Sequence, residues 1–127
     1  MTDNFAVSPQ IQPHDVEALA QAGFTTLICN RPDDEELGQP SFDAVAERAK
    51  QLGLTVHSLP ITSGMLGPHH VSQMGEILDT SEGKVFAYCR SGTRSVMLWA
   101  FQEVTKRPRD EVLALAANAG YDLSQQL

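Results

Sequence analysis

A cysteine and an arginine separated by four residues are the groups in this sequence best placed to do chemistry. Cys89 and Arg94 are joined by the small polar segment Arg90-Ser91-Gly92-Thr93, and Ser95 follows directly. The thiolate of a cysteine is a strong nucleophile, and the planar fork of an arginine guanidinium binds oxyanions. A purely structural role for Cys89 is disfavoured because two neighbouring arginines rarely enter an apolar core. The segment therefore predicts a nucleophilic Cys89 beside an anion-binding loop that Arg94 closes.

The residues on either side of this segment predict the elements that position it. The apolar run Val85–Tyr88 follows the turn pair Glu82-Gly83 and is typical of a buried central strand. The stretch Ser95–Phe101 is apolar enough to predict a buried helix. In a strand, loop and helix arrangement the loop amides converge on the helix N-terminus, which carries roughly half a positive charge. We therefore expect the loop at residues 90–93 and Ser95 to bind an anion at the sulfur.

The composition is that of one globular domain. The 127 residues are 42% hydrophobic, which suffices for a single core, and we expect one domain over residues 1–127. A formal net charge of −7 disfavours binding to nucleic acid and to anionic membranes. No apolar run approaches the roughly 20 residues of a membrane span, and the N-terminus does not resemble a signal peptide. Two cysteines without CxxC spacing indicate a reducing compartment. We expect a cytoplasmic protein without metal or cofactor that acts on a small anionic substrate.

Strands and helices are predicted to alternate along the chain. Strand patterns cover residues 5–7, 24–29, 54–59 and 85–88, and helical patterns begin near residues 13, 41, 69, 94 and 108. The alternation predicts an α/β three-layer sandwich with a mostly parallel central sheet. Ligands of such sheets bind at the carboxyl ends of the strands. Cys89, the pair Asn30-Arg31 and the loop at 60–68 all follow strands, so we expect them to share one crevice.

Several motifs resemble known families. The segment Tyr88–Ser95, with the sequence Tyr-Cys-Arg-Ser-Gly-Thr-Arg-Ser, resembles the active-site loop of rhodanese-type sulfurtransferases. Together with Ser8-Pro9-Gln10, Ile28–Asp33 and Gln39–Phe42 it is similar to the beta-lactamase-hydrolase-like protein, phosphatase-like domain family, over about residues 5–115. The resemblance implies a fold like that of the cysteine-dependent dual-specificity phosphatases. It also implies an activity often described as sulfur transfer, and association with sulfide-oxidising enzymes.

Two departures from the cysteine-phosphatase pattern favour sulfur transfer. Those enzymes carry His-Cys, five residues and then Arg, whereas here Tyr88 precedes Cys89 and four residues separate Cys89 from Arg94. The shorter loop has one amide fewer for the oxygens of a phosphoryl group and better suits the terminal sulfur of a persulfide. Phosphatases also need a general acid for the leaving oxygen, and the loop at 61–68 contains no carboxylate. Sulfur transfer needs none when sulfite or a low-pKa thiolate leaves.

These observations lead to three hypotheses for the activity. The preferred one is a sulfurtransferase that moves sulfane sulfur from thiosulfate or glutathione persulfide to a thiol or cyanide through a Cys89 persulfide. The alternative is a hydrolase, a protein-tyrosine or dual-specificity-like phosphatase that forms a phosphocysteine while Arg94 holds the oxygens. The third is a non-enzymatic redox-sensing module in which Cys89 senses oxidants.

Two other polar groups near the predicted crevice have alternative roles. Arg31 either binds an anionic substrate or forms an ion pair with Asp33 or Asp34 in its own loop. Ser95 either bonds to the sulfur or caps its helix, and the two roles are compatible. The acidic run at residues 33–36 is most simply a solvated loop.

The second cysteine and two histidines are favoured as structural. Cys29 ends a predicted strand, and a buried apolar role is preferred over that of a second thiol. His69 and His70 stand at a predicted helix start and are interpreted as surface residues, although they could face the site.

Overall fold

Four strands and five α-helices alternate along the chain, and the computed structural model describes all 127 residues. The strands are β1 (Phe5–Ser8), β2 (Phe24–Cys29), β3 (Thr55–Ser58) and β4 (Lys84–Tyr88). The helices are α1 (Val16–Gln21), α2 (Phe42–Gln51), α3 (Pro68–Thr80), α4 (Thr93–Glu103) and α5 (Arg109–Asn118).

The strands form one sheet in the order β1-β4-β2-β3, and all three pairings are parallel. The strand β4 therefore lies between two neighbours, as its β-branched and aromatic sequence predicts. Parallel neighbours require helical crossovers, which the intervening helices supply. The predicted α/β architecture with a mostly parallel central sheet is confirmed.

The side chains of β4 alternate between two hydrophobic cores, one on each face of the sheet. Val85 and Ala87 pack into the core that contains Trp99 of α4 and Val112 of α5. Phe86 and Tyr88 lie in the other core, which contains residues of α1 and α2. These four residues of β4 are buried because helices cover both faces of the sheet. The central sheet and the helices on its two faces form the three layers predicted from the sequence.

Element boundaries depart from the sequence predictions by a few residues. The helix expected from Pro13 begins as a short 3-10 turn, Pro13–Asp15, and continues as α1. The helix expected from His69 begins one residue earlier, because Pro68 suits the first helical position. Ser41 caps α2 as predicted, accepting a hydrogen bond of 3.2 Å from the amide of Ala44.

The carboxyl ends of three strands are tied together at one edge of the sheet. The amide of Asn30 donates to the carbonyl of Tyr88 at 2.9 Å, and the amide of Leu59 donates to the carbonyl of Cys29, also at 2.9 Å. The residues that follow β2, β3 and β4 therefore lie side by side, as expected for a parallel sheet. None of the helices combines the length and apolarity needed to cross a lipid bilayer.

Candidate active site

Cys89 follows β4 directly and is fully buried at the base of the loop that leads into α4. Its Sγ accepts a hydrogen bond of 3.1 Å from the amide of Gly92. Gly92 is the N-cap of α4 and has a φ of +94°, a left-handed conformation that favours glycine. The loop thus turns its backbone back onto the sulfur just before the helix begins.

The remaining amides of this loop suit an anion. The amide of Thr93 donates to the hydroxyl of Ser91 at 3.4 Å, and those of Arg90, Ser91 and Arg94 donate to no group of the chain. They lie at or just before the first turn of α4, where orphan donors and the helix dipole attract negative charge. The geometry agrees with the predicted anion-binding loop, and the binding itself stays a prediction.

The C-terminal segment supports the loop, although no element was predicted there. The hydroxyl of Tyr121 donates to the carbonyl of Ser91 at 2.9 Å. A Cβ placed on Gly92 would overlap the phenol of Tyr121. The loop therefore fits against the tail only with glycine at position 92. Sequence reasoning missed Tyr121 because nothing in the local pattern shows where an irregular tail lies.

Arg94 is bound on both nitrogens of its fork by one carboxylate. Its Nη1 and Nη2 donate to Glu35 Oε2 at 2.7 Å and to Oε1 at 2.8 Å, and Nη1 also donates to the Ile61 carbonyl at 2.7 Å. The Arg94 side chain is 11% exposed and that of Glu35 20%. The hydrogen bonds from Arg94 hold the pKa of Glu35 at about 2, and those to Glu35 raise the pKa of Arg94. The expectation of a solvated acidic run is wrong for Glu35.

Arg31 is buried beside the same carboxylate, with a side chain that is 2% exposed. Its Nε donates to Glu35 Oε1 at 2.9 Å and its Nη1 to the side-chain carbonyl of Gln10 at 3.1 Å. The proposed pairing of Arg31 with Asp33 or Asp34 is not formed. Asp33 instead accepts a hydrogen bond of 2.8 Å from the amide of Phe42, at the start of α2. The Asp33 carboxylate therefore binds the N-terminus of α2. The carboxylates near Arg31 are those of Glu35 and Glu36.

A second glutamate extends the charge network to Arg90. Glu36 Oε2 lies 2.9 Å from Nη2 of Arg90, whose side chain is 62% exposed, and Glu36 Oε1 lies 3.6 Å from Nη2 of Arg31. Positive and negative groups thus alternate in the order Arg94, Glu35, Arg31, Glu36, Arg90. We call these five residues the arginine–glutamate chain. The adjacent glutamates each bridge two arginines, which the sequence did not reveal.

Ser95 is buried inside the first turn of α4 and serves neither role foreseen for it. Its hydroxyl donates to the side-chain carbonyl of Asn30 at 2.8 Å, and the Asn30 amide group donates to the carbonyl of Leu59 at 3.0 Å. Gly92, not Ser95, occupies the cap position of the helix. Ser95 and Asn30 therefore join α4 to the ends of β2 and β3 and fix the orientation of the helix.

The second cysteine and the two histidines have structural contacts. Cys29 is buried and forms no disulfide with Cys89. Its Sγ lies 3.3 Å from the Arg31 carbonyl oxygen, and burial raises the pKa of its thiol. His70 Nδ1 accepts a hydrogen bond of 3.0 Å from the amide of Gly67 at the start of α3. The ring of His69 lies against that of His70 at a tilt of 40°. Neither histidine bonds to the Cys89 loop.

The fold defines a class of protein, the cysteine-phosphatase-like α/β domain. A Pseudomonas aeruginosa protein, TpbA, solved in complex with phosphotyrosine, is 18% identical with a TM-score of 0.70 over 97% of this chain and 74% of its own. A Neisseria meningitidis protein provisionally described as a phosphatase is 38% identical with a TM-score of 0.87, over 97% of this chain and 88% of its own. The predicted cysteine-phosphatase-like fold is confirmed.

The amino-acid sequence identifies one family within this class. The chain belongs to the family described as beta-lactamase hydrolase-like protein, phosphatase-like domain, whose model matches residues 1–106. A beta-lactamase hydrolase-like protein of Xylella fastidiosa is 33% identical over 127 residues, which are 98% of this chain and 30% of the relative. One of Agrobacterium fabrum is 26% identical, over 97% of this chain and 29% of its own length. The chain thus spans about a third of these relatives, and the predicted family is confirmed.

Proposed function

We propose that this domain hydrolyses small anionic phosphate monoesters at Cys89, which reverses the order of the two hypotheses drawn from the sequence. The observation that carries the proposal is the bidentate contact between Arg94 and Glu35 beside the cysteine loop. The guanidinium fork already binds a planar oxyanion there, and the same arrangement suits two oxygens of a phosphoryl group. It also supplies the carboxylate that is missing from the loop at 61–68. The family and the fold support the same reaction class.

The reaction has two displacement steps at phosphorus. The Cys89 thiolate attacks the phosphorus of the monoester, an S–P bond forms, and the P–O bond to the alcohol or phenol breaks. Arg94 and the free loop amides bind the phosphoryl oxygens as charge shifts toward them. A water molecule then attacks the phosphocysteine, the S–P bond breaks, and inorganic phosphate and the Cys89 thiolate are released. Each turnover consumes one water and needs no cofactor.

Glu35 is the proposed proton carrier of these steps. A substrate phosphoryl group that binds Arg94 takes over the fork that Glu35 occupies, so the carboxylate loses the partner that lowers its pKa most. A glutamate released from this ion pair returns toward its ordinary pKa and can hold a proton for the leaving oxygen. That proton is taken up from solvent when substrate binds. The carboxylate later accepts the proton of the attacking water and returns it to solvent when phosphate leaves and the ion pair with Arg94 forms again.

Sulfur transfer is the second candidate, favoured by the four-residue spacing between Cys89 and Arg94 and by Tyr88 in place of the usual histidine. The Cys89 thiolate would attack the sulfane sulfur of thiosulfate or glutathione persulfide, with sulfite or glutathione thiolate leaving. A thiol or cyanide would then remove the outer sulfur and regenerate Cys89. A sulfide-oxidising enzyme is the partner that this candidate implies.

Parallel assays on one preparation separate the two reactions. Phosphate release from a phosphotyrosine peptide is measured beside the intact mass of the protein after incubation with thiosulfate or glutathione persulfide. Our proposal expects steady phosphate release that is lost in Cys89→Ser and kept in Cys29→Ser. A gain of one sulfur atom on Cys89, reversible by cyanide and without phosphate release, would establish sulfur transfer instead. Absence of both reactions would leave the redox-sensing module and overturn the proposal.

The length of the loop provides a matched test. Inserting one glycine after Thr93 would give the five-residue spacing between cysteine and arginine that cysteine phosphatases have. It would also add one amide donor to the anion-binding loop. We expect phosphatase activity to rise at least severalfold, because one more donor reaches the phosphoryl oxygens. An insertion after Gly53, in the turn between α2 and β3, is the control for the disturbance that any insertion causes. A loss of phosphatase activity confined to the Thr93 insertion would show that the loop binds phosphate best at its natural length of four residues.

A further inference from the structure

The guanidinium of Arg31 has one nitrogen without a hydrogen-bond partner, although the whole side chain is buried. Nε and Nη1 are engaged by Glu35 and Gln10, whereas Nη2 forms no hydrogen bond and lies 3.6 Å from the nearest oxygen of Glu36. A buried charged donor left unpaired is costly, and native proteins keep few such groups. The free donor therefore points to a ligand that completes its bonding.

Arg31 borders a cavity of about 340 Å³ that suits such a ligand. Its walls include Arg90 and the side chains of three glutamines, Gln10, Gln12 and Gln39. Leu37 and Pro40 are its apolar side chains. Two arginines and several amide groups provide donors for an acidic group, and the cavity adjoins the Cys89 loop because Arg90 belongs to both.

Glu36 shows which chemistry this cavity accepts. Its carboxylate lies between Arg31 and Arg90, as the Glu35 carboxylate lies between Arg94 and Arg31, but it makes only one close contact, with Arg90. Glu36 is half exposed and its contact with Arg31 is long, so a better-placed anion can displace it at little cost. The consecutive glutamates thus mark two neighbouring positions for negative charge.

We propose that Arg31 and Arg90 form a second anion subsite beside the Cys89 loop, and that the substrates are phosphate monoesters with a second acidic group. This inference rests on the proposed function and specifies its substrate class. The scissile phosphoryl group takes the place of Glu35 on Arg94, and a carboxylate or a second phosphate takes the place of Glu36. Esters with only one acidic group leave the second subsite to Glu36 and bind less well.

Equilibrium binding of non-hydrolysable phosphonates tests this without turnover. Phenylphosphonate and its 3-carboxy and 4-carboxy derivatives are titrated calorimetrically into the wild-type protein. We expect at least one carboxylated compound to bind about tenfold more tightly than phenylphosphonate, a difference of about 1.4 kcal/mol. Arg90→Gln should lower this ratio toward one, and Glu36→Gln should raise it. Arg48→Gln, which removes an arginine from the α2 surface beside Glu17, is the matched control and should keep the ratio.

The outcomes separate the subsite from the proposed function. Equal binding of all three phosphonates would overturn the second subsite while leaving phosphate recognition at Arg94 intact. A preference for carboxylated compounds that Arg48→Gln reduces as much as Arg90→Gln would reflect overall charge and would also overturn it. A protein that binds none of the phosphonates would reject the phosphate chemistry itself.

Discussion

The carboxylate of Glu35 and the guanidinium of Arg94 are joined by two hydrogen bonds, of 2.7 and 2.8 Å, although the residues are 59 positions apart in the sequence. Glu35 lies in the loop after β2, and Arg94 lies in the first turn of α4 after the cysteine loop. The sheet order brings them together because β2 is the direct neighbour of β4. Arg94 is thus occupied by an anion from the chain itself. Under the proposed function, a substrate phosphoryl group has to compete with Glu35 for this arginine.

Removing the negative charge of Glu35 should strengthen anion binding and weaken catalysis. In Glu35→Gln the fork of Arg94 is freed from a charged competitor, so we expect inorganic phosphate to inhibit at a concentration about tenfold lower. Turnover of a phosphotyrosine peptide should fall at least tenfold, because the proton carrier is lost. Inhibition constants and kcat measure the two effects. Asp34→Asn alters the same loop as a control, and equal effects there would remove Glu35 from the mechanism.

The same glutamate should make folding stability sensitive to acid. Its pKa is lowered from an ordinary 4.5 to about 2 in the folded protein, so the native state favours the ionised form. This contribution is complete above about pH 4.5 and is lost as the pH falls toward 2. We expect wild type to lose about 1–2 kcal/mol more than Glu35→Gln over this range, since part of the carboxylate is exposed. Urea unfolding at several pH values measures the difference, and Glu47→Gln on the exposed face of α2 should follow wild type.

The shape of the Arg94 side chain should matter as well as its charge. Lysine at this position keeps one positive charge but cannot bind two oxygens of a phosphoryl group at once. We expect Arg94→Lys to lower kcat/KM at least tenfold, or more than about 1.4 kcal/mol of transition-state stabilisation. Arg107→Lys is the matched control because Arg107 also bridges two glutamates, Glu103 and Glu111, outside the cysteine loop. Similar losses in the two variants would show that position 94 has no special role.

The loop should tolerate no side chain at Gly92. Alanine there faces both the strain of a φ of +94° and overlap with the phenol of Tyr121. We expect Gly92→Ala to lower the free energy of unfolding by about 2–3 kcal/mol and to abolish turnover. Gly38→Ala measures the cost of the left-handed backbone alone. Gly38 has a φ of +83°, and no atom lies within 4 Å of a Cβ added there. If the two variants lost equal stability, the contact with Tyr121 would not constrain the loop.

The two cysteines should differ in reactivity although both are buried. Cys89 accepts a hydrogen bond from the Gly92 amide, and its sulfur faces the N-terminus of α4. Cys29 belongs to the same apolar core as Val45, and burial raises its pKa. We expect iodoacetamide at pH 7 to label Cys89 at least tenfold faster, as read by peptide mapping. Faster labelling of Cys29, or a disulfide between the two after mild peroxide, would contradict this assignment.

Local sequence patterns determined the elements and the position of the candidate nucleophile. The apolar run before Cys89 specifies a buried strand, Gly92 permits the left-handed turn, and the apolar stretch after Arg94 specifies α4. These features depend on residues close in the chain, so periodicity and turn chemistry suffice to recognise them. The strand and helix alternation likewise predicts the parallel sheet, because parallel neighbours need helical crossovers.

Only the tertiary structure decided which charges meet at the site. The acidic loop has the composition of a solvated segment, and nothing local distinguishes Glu35 from Asp33 or Asp34. The pairing of Glu35 with Arg94 depends on β2 lying beside β4, and the contact of Tyr121 with Ser91 depends on where α5 returns the chain. Ion pairs between distant segments carry no sequence period, since a charged side chain is compatible with solvent until the fold places a partner beside it.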